Sequence, residues 1–277
     1  MSDYEWIVVD RPLAGVQRIT LNRPEKRNPL SNHLRSELFD ALQQADLDAD
    51  LRVTILRGAG GHFSAGYDLK QDASRDQPFH TAGGLGNWPR HVVDGFLQMW
   101  DLAKPVIAQV EGYCLAGGTE LATACDLVYV AEDAKIGYPV VRSISPPDNQ
   151  FYPWIVGLRR AMEMMLTGDS ISGIEAVECG FANRAFPAQR LEAEVLRVAE
   201  KVARVPPDIQ QINKRAVHRQ MELMGMRAAI RSGTEIQALS MLTASARSHL
   251  KDIAEGGLTQ ALSKRDKDYG DYRESRE

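Results

Sequence analysis

Cysteine is scarce, with three residues, Cys114, Cys125 and Cys179, in a chain of 277. Their number is odd, no CxxC spacing occurs and their neighbours are apolar. That excludes a disulfide scaffold or a cysteine-based zinc cage and predicts buried thiols in a reducing compartment. Surplus positive charge is also absent: 33 Lys and Arg face 37 Asp and Glu, a formal net charge of −4. Nothing general therefore attracts nucleic acid or an anionic membrane, and an anionic ligand has to be met by a local basic group. No apolar run approaches the ~18 residues of a spanning helix, and the opening MSDYEWIVVDRP lacks a basic stretch followed by an apolar core. The expectation is a cytoplasmic protein with no nucleic-acid or membrane partner. GxGxxG, the P-loop pattern and HExxH are missing as well, so no dinucleotide site and no metal are predicted.

What is present is enough apolar material for a sizeable core, 44% of the residues. WIVVD and VQRITL read as two strands joined by a turn, and SNHLRSELFDALQQADLD as a helix behind Ser31, with Leu34, Leu38, Phe39 and Leu42 at helical spacing. RVTILRGAG is a buried strand. Residues 71–90 are polar and aperiodic, a loop long for a compact domain. HVVDGFLQMWDLA reads as helix, PVIAQVEG as strand, LAGGTELATACD as a turn and short helix, and DLVYVAEDAKIGY as one or two further strands. This alternation predicts an α/β core with parallel pairing and functional loops at strand ends. After Pro153 the texture is helical apart from a short strand at FANRAF. Pro206-Pro207 marks the best boundary, dividing an α/β core, 1–205, from a helical region, 206–277, with helices over 208–225, 227–250 and 252–266. Ile236, Leu239 and Leu242 in that tail must pack on the core or on a neighbouring subunit.

Two segments suggest chemistry. Gly117-Gly118 joins a strand to a helix, whose exposed first N–H groups favour negative charge. Glu120 follows within the first turn, in a segment otherwise apolar all round. A capping box would need Ser or Thr where Gly117 stands. A buried carboxylate costs several kcal/mol unless paired or used, which is how acids and bases working near neutral pH arise. The second segment, GGHFSAGYDLK, runs from a strand end toward a helix start at Asp68. It is no nucleophile elbow, since His62 stands where GxSxG requires glycine. It does supply a backbone N–H at Tyr67, and two such donors converging with Gly117 would form an oxyanion hole.

LNRPEKRNPLS, HFSAGYDLK, PVIAQVEGYCLAGGTELATACDLVYVAEDAKIGYP, AMEMMLTGDSISGIEAVECGFANRAFP and EGGLTQALSKRDKDY occur in that order. Together they resemble the crotonase (enoyl-CoA hydratase/isomerase) superfamily from about residue 6 to 269. The resemblance implies an α/β fold, a spiral of ββα units with a C-terminal helical trimerisation region, and a homotrimer or dimer of trimers. It implies an acyl-CoA thioester substrate, with no cofactor beyond the CoA of that substrate. The Tyr67 and Gly117 N–H groups fall on the family's oxyanion hole, and Glu120 on the first of two hydratase glutamates. Where the second belongs, after the proline of GYPVV, this chain has Val140. Asp148, in VRSISPPDNQFYPWIVG, falls in the loop where other superfamily members place a catalytic aspartate, although Pro-Pro-Asp-Asn is also an ordinary turn. For CoA, the resemblance points to Lys26, Arg27, Ala65, Asp68, Leu69, Lys70, Lys264 and Arg265. For the acyl pocket it points to His62, His80, Trp88, Tyr138, Val140, Arg142 and Trp154. The leading expectation is a hydratase/isomerase-type lyase with Glu120 as acid/base. The alternatives are a hydrolase of thioester or C–C bonds, a dehalogenase-like enzyme using Asp148, and an idle acyl-CoA-binding protein.

Overall fold

The computed structural model describes residues 4–69 and 87–270, with the backbone alone for residues 87–90. Strands β1 (Ile7–Leu13) and β2 (Val16–Leu21) form an antiparallel hairpin turned at Gly15, where φ is +73° and a Cβ would be strained. Helix α1 (Asn32–Leu47) is capped by Ser31, whose Oγ accepts the Leu34 N–H at 3.2 Å. Then come β3 (Val53–Gly58), α2 (Asn87–Asp101), β4 (Val106–Val110), β5 (Tyr113–Leu115) and α3 (Gly117–Thr123). They are followed by β6 (Leu127–Ala131), β7 (Lys135–Gly137), α4 (Tyr152–Ile155), α5 (Gly157–Thr167) and α6 (Gly173–Glu178). Strand β8 (Arg184–Phe186) and helix α7 (Ala188–Ala203) complete the α/β part.

The larger sheet has the order β1-β2-β3-β4-β6-β8, and every pairing after the hairpin is parallel. All five residues of β4 are buried, so both faces of the sheet are covered there, as parallel strands require. Helix α7 packs along β2, β3, β4, β6 and β8, with Leu191, Val195 and Ala199 buried at helical spacing.

Beyond the ends of these strands a second layer forms. β5 pairs with β7 in parallel, and single bridges join Leu30 to Tyr67, Ser64 to Cys114 and Ile136 to Ile171. The chain thus repeats a unit: a long strand, a short second-layer segment, then a helix. Leu30 leads into α1 and β5 into α3, which is the ββα spiral expected from the sequence. The three-residue β5, of which only Leu115 falls in the segment expected as turn and short helix, is a strand because its backbone groups find partners on Ser64 and on β7.

Among the described residues four helices run from the double proline: α8 (Pro207–Leu223), α9 (Met226–Ser240), α10 (Ala244–Gly256) and α11 (Leu258–Asp266). The sequence predicts three. The expected helix over 227–250 breaks because the Thr243 side chain caps a new start by accepting the Ala246 N–H, and the one over 252–266 breaks at Gly257, φ +80°. Lys214 on α8 reaches the core, donating to Asp126 at 2.9 Å and to the Lys104 carbonyl at 3.0 Å. Helix α9 packs on α2 around Val93, Leu97, Phe151, Met226 and Ile230. The long loop expected over 71–90 is helical from Asn87; no helix begins at Asp68 through Leu69, and the rest of the segment lies outside the described residues. Among the described residues no helix is long and apolar enough to cross a membrane.

Candidate active site

Where the second layer turns into α3, Ala116 adopts φ 50° and ψ −123°, a conformation costing a non-glycine residue about 1–3 kcal/mol. The Ala116 carbonyl takes the N–H groups of Thr119 and Glu120, so the N–H of Gly117 precedes the first helical bond. A Cβ on Gly117 would stand 2.7–2.9 Å from the Tyr67 ring, and only glycine fits under that ring. The Leu30–Tyr67 bridge uses the Gly66 carbonyl and the Asp68 N–H. The N–H of Tyr67 itself is turned to the other edge, as alternation in a parallel ladder requires. Along that edge runs Leu115–Gly117; a Cβ on Gly66 would lie 3.3 Å from the Gly117 nitrogen. The two segments singled out in the sequence therefore abut.

Glu120 is wholly buried. Its Oε2 accepts the Tyr67 hydroxyl at 2.7 Å, and its Oε1 accepts the Tyr138 hydroxyl at 2.8 Å and the Asp148 N–H at 3.1 Å. Burial pushes its pKa up to about 7, although the two phenols and the N–H groups of Asp148 and Asn149 pull the other way. Burial, and then the Glu120 charge, hold both phenols well above their ordinary range, so both act as donors. Asp148 is buried in the same cluster. Desolvation and the neighbouring Glu120 raise its pKa well above the usual range, against the pull of Arg35, and its Oδ1 meets no donor among the described residues. The two carboxyls form one coupled acid–base unit.

Sequence reasoning missed the other side of this cluster. Arg35 on α1 is 1% exposed. Its guanidinium lies 5.7 Å from the Tyr67 ring centroid and donates to Asn32 Oδ1 at 2.6 Å and to His91 Nε2 at 3.2 Å. Asn149, also fully buried, turns its N–H to Glu120. The signal available for Arg35 was a cation between Leu34 and Leu38 on the apolar stripe of α1.

The remaining expected residues fall into separate places. Tyr138 is not a bare pocket wall but a direct partner of Glu120. Val140 is partly buried against the core and leaves no carboxylate at its position. Trp154 packs with the cluster between α2 and α9. Arg142, expected at the acyl pocket, instead donates to the Thr167 carbonyl at 2.8 Å, pairs with Asp169 at 2.8 Å and Asp266 at 3.3 Å, and lies over the Tyr269 ring. The Asp266 contact ties it to α11. His62 stacks on Tyr113 at 4.9 Å, and Arg27 lies 5.0 Å from the same ring; burial and Arg27 lower the His62 pKa. This groups His62 with Arg27, which is exposed like Lys26, rather than with Glu120. The Ala65 N–H donates to the Arg27 carbonyl at 2.9 Å, Leu69 is exposed, and Asp68 is paired with Arg23 at 2.8 Å. Lys264 pairs with Asp252, and Arg265 binds Asp266 through two bonds of 2.8 and 2.7 Å. Both of these cations have local carboxylate partners within the C-terminal helices. Lys70 and His80 lie outside the described residues, as does the side chain of Trp88. Among the described residues no three His, Cys, Asp or Glu side chains are placed to hold a metal.

Second-layer segments feeding helix N-termini around a buried carboxylate define a crotonase-fold protein. Solved structures agree. An enoyl-CoA hydratase/isomerase from Xanthobacter autotrophicus Py2 superposes with a TM-score of 0.87 at 35% identity, covering 96% of this chain and 99% of that one. An enoyl-CoA hydratase from Mycobacterium smegmatis does so with 0.88 at 29%, covering 97% and 96%. The 2,3-dehydroadipyl-CoA hydratase of Escherichia coli is 34% identical over 254 residues, 91% of this chain and 93% of that protein. The enoyl-CoA hydratase/isomerase family profile matches residues 12–271. The chain belongs to the enoyl-CoA hydratase/isomerase family and is an acyl-CoA-processing enzyme.

Proposed function

We propose that the enzyme adds water to, or isomerises, an enoyl-CoA thioester. The Tyr67 and Gly117 N–H groups hold the thioester oxygen as charge develops on it, and Glu120 moves the proton at the adjacent carbon. The observation that carries this reading is the set of donors around Glu120. Two phenols and the Asp148 N–H fix both oxygens of a carboxylate with a pKa of about 7, matched to proton transfer near neutral pH. Asp148 takes the part of the second carboxyl in place of Val140. The enzyme uses no cofactor beyond the CoA of its substrate and works in the cytoplasm, where its thiols stay reduced.

A second reading, hydrolysis or dehalogenation through Asp148, is favoured by the Oδ1 that meets no donor among the described residues. The enoyl chemistry and the hydrolytic form of the second reading separate in one assay with crotonyl-CoA and saturated and 3-ketoacyl thioesters; halide release from a halogenated acyl thioester would mark the dehalogenase form. Hydration or isomerisation changes the enoyl thioester without releasing free CoA, whereas hydrolysis yields a titratable thiol. Thiol release without enoyl turnover would replace the first reading by the second, and saturable binding with no turnover across the panel would mark an idle binder.

Assembly as a trimer or a pair of trimers belongs to the same proposal. Ile212, Leu223, Ile236, Leu239 and Leu242 on and beside α8 and α9 are exposed in the single chain, an apolar surface that a neighbouring subunit would cover. Sedimentation is expected to give a particle at least three chains in size; an active monomer would contradict it.

A further inference from the structure

Helix α8 meets the α/β part through a group of charged side chains that the candidate site does not use. Asp126 stands between α3 and β6. Its Oδ2 accepts the Val106 N–H at 2.8 Å and the Lys214 ammonium at 2.9 Å. Its Oδ1 faces His218 Nε2, from α8, at 3.1 Å. The other ring nitrogen, Nδ1, stands 3.1 Å from the Trp100 carbonyl. That carbonyl belongs to the last turn of α2, where carbonyls lack a helical partner and the helix dipole is negative. The imidazole also stacks on the Trp100 indole, with ring centroids 3.8 Å and planes 16° apart. The side chains of His218 and Asp126 are each 15% exposed, so both contacts are largely shielded from water.

A carbonyl oxygen only accepts hydrogen bonds, and so does an ionised carboxylate. Burial opposes the ionisation of Asp126, but His218, Lys214 and the Val106 N–H outweigh it and hold the carboxyl below its usual range. Asp126 is therefore an anion at neutral pH. Each neutral tautomer of His218 fails on one side. With the proton on Nδ1, the Nε2 lone pair opposes the carboxylate; with the proton on Nε2, the Nδ1 lone pair opposes the Trp100 carbonyl. Only the imidazolium presents a proton to both, and the indole face against it attracts a cation.

We propose that His218 is held as an imidazolium in the folded chain and works as a proton-dependent latch, docking α8 on Asp126 and on the C-terminus of α2 and loosening as the proton leaves. Lys214, one turn earlier on α8, opposes a second cation, but it occupies the other carboxylate oxygen and donates to the Lys104 carbonyl at 3.0 Å as well. Cys125, beside Asp126, stays a neutral thiol because burial and then the Asp126 charge push it up. The nearby carboxylates of Asp101 on α2 and Glu222 on α8 are paired with Arg227, and Glu222 also with Arg219. Asp126 is thus the anion that answers His218. The folded chain then binds this proton more tightly than the unfolded chain does. The latch contributes fully below the ordinary histidine pKa of about 6.5, and its contribution is lost as pH rises above that value.

The full chain carrying 15N-labelled histidine tests this without any turnover. At pH 7.5 an imidazole of ordinary pKa is about nine-tenths neutral. His218, assigned through cross-relaxation with the Trp100 ring 3.8 Å away, is expected to carry protons on both ring nitrogens at that pH. One bare ring nitrogen at pH 7.5 would overturn the proposal. Stability gives the second readout. His218→Gln keeps a donor near Asp126 but has nothing to titrate. Between pH 6 and pH 9 the parent is expected to lose about 2–4 °C of thermal midpoint relative to this variant. A difference that stays constant over that range overturns the proposal as well, since Glu120 and Asp148 are common to both proteins. If His218→Gln does not fold, the ring-nitrogen signals of the parent still decide.

Discussion

Glu120→Gln is expected to lower turnover of the enoyl-CoA substrate about 10²–10⁴-fold, the usual contribution of a positioned acid or base, while the protein stays folded. The geometry explains why the fold survives. With its amide oxygen in the place of Oε1, glutamine still accepts from the Tyr138 hydroxyl and from the Asp148 N–H. Its NH2 group then faces the Tyr67 oxygen, which can rotate its own proton away and accept. That proton loses residue 120 as its acceptor, at a cost of about 1–3 kcal/mol, which is small enough for the fold to survive. Chemistry is lost because an amide cannot carry the proton. The measurement is kcat/KM together with the thermal midpoint. A variant that is folded and fully active would remove Glu120 from the reaction and leave Asp148 as the acid/base candidate.

The units of the fold were legible because their patterns are local. Leu34, Leu38, Phe39 and Leu42 mark α1 by spacing, and the apolar runs of β3, β4 and β6 mark buried parallel strands. The second layer was legible only in part: DLVYVAEDAKIGY, read as one or two strands, contains β7, whereas β5 was not marked. β5 and β7 have three residues each, too short for a period, and they are strands only because Ser64, Cys114 and Ile136 line up across long sequence separations. The tail was read as too few helices for a related reason. Apolar spacing continues through Met241–Leu242 and past Gly257, and what interrupts it is a cap at Thr243 and one positive φ.

The candidate site divides in the same way. Glu120 stood out as a carboxylate in an otherwise apolar helix, and Gly117 as a bare N-terminus beside it; both are consequences of one short segment. Asp148 stood out through the same loop that lacks the expected glutamate at Val140. Arg35 lies 85 residues before Glu120 in the chain, and its meeting with Tyr67 and His91 is a product of the spiral, which no short window contains. Arg142 lies 27 residues before Asp169 and 124 before Asp266, so its partners appear only once the C-terminal helices are placed.

The buried carboxyl has a further consequence, for stability against pH. Glu120 has a pKa of about 7 in the folded chain against the ordinary 4.5, so the folded state holds this proton more tightly than the unfolded state. Its contribution is fully present below about pH 4.5 and is lost as pH rises toward 7. At about 1.4 kcal/mol per pH unit, the loss is on the order of 3 kcal/mol. Asp148, raised in the same direction, adds to it. His91 works oppositely: its pKa is lowered from 6.5 to about 3, so it adds stability as pH rises through that interval. The two effects overlap between about pH 4.5 and 6.5, and a curve for the parent protein alone mixes them. The difference between the parent and Glu120→Gln removes the His91 contribution, which is common to both, and reports the loss of Glu120 together with its effect on Asp148. Relative to the parent, the variant is expected to gain stability steadily from pH 5 to pH 8, by roughly 6–10 °C in thermal midpoint for a chain of this size. Midpoints taken at pH 5, 6, 7 and 8 check it. A constant offset between the two proteins across that range would mean that Glu120 is ionised throughout, and that the cluster around it stabilises the anion far more than its burial opposes it.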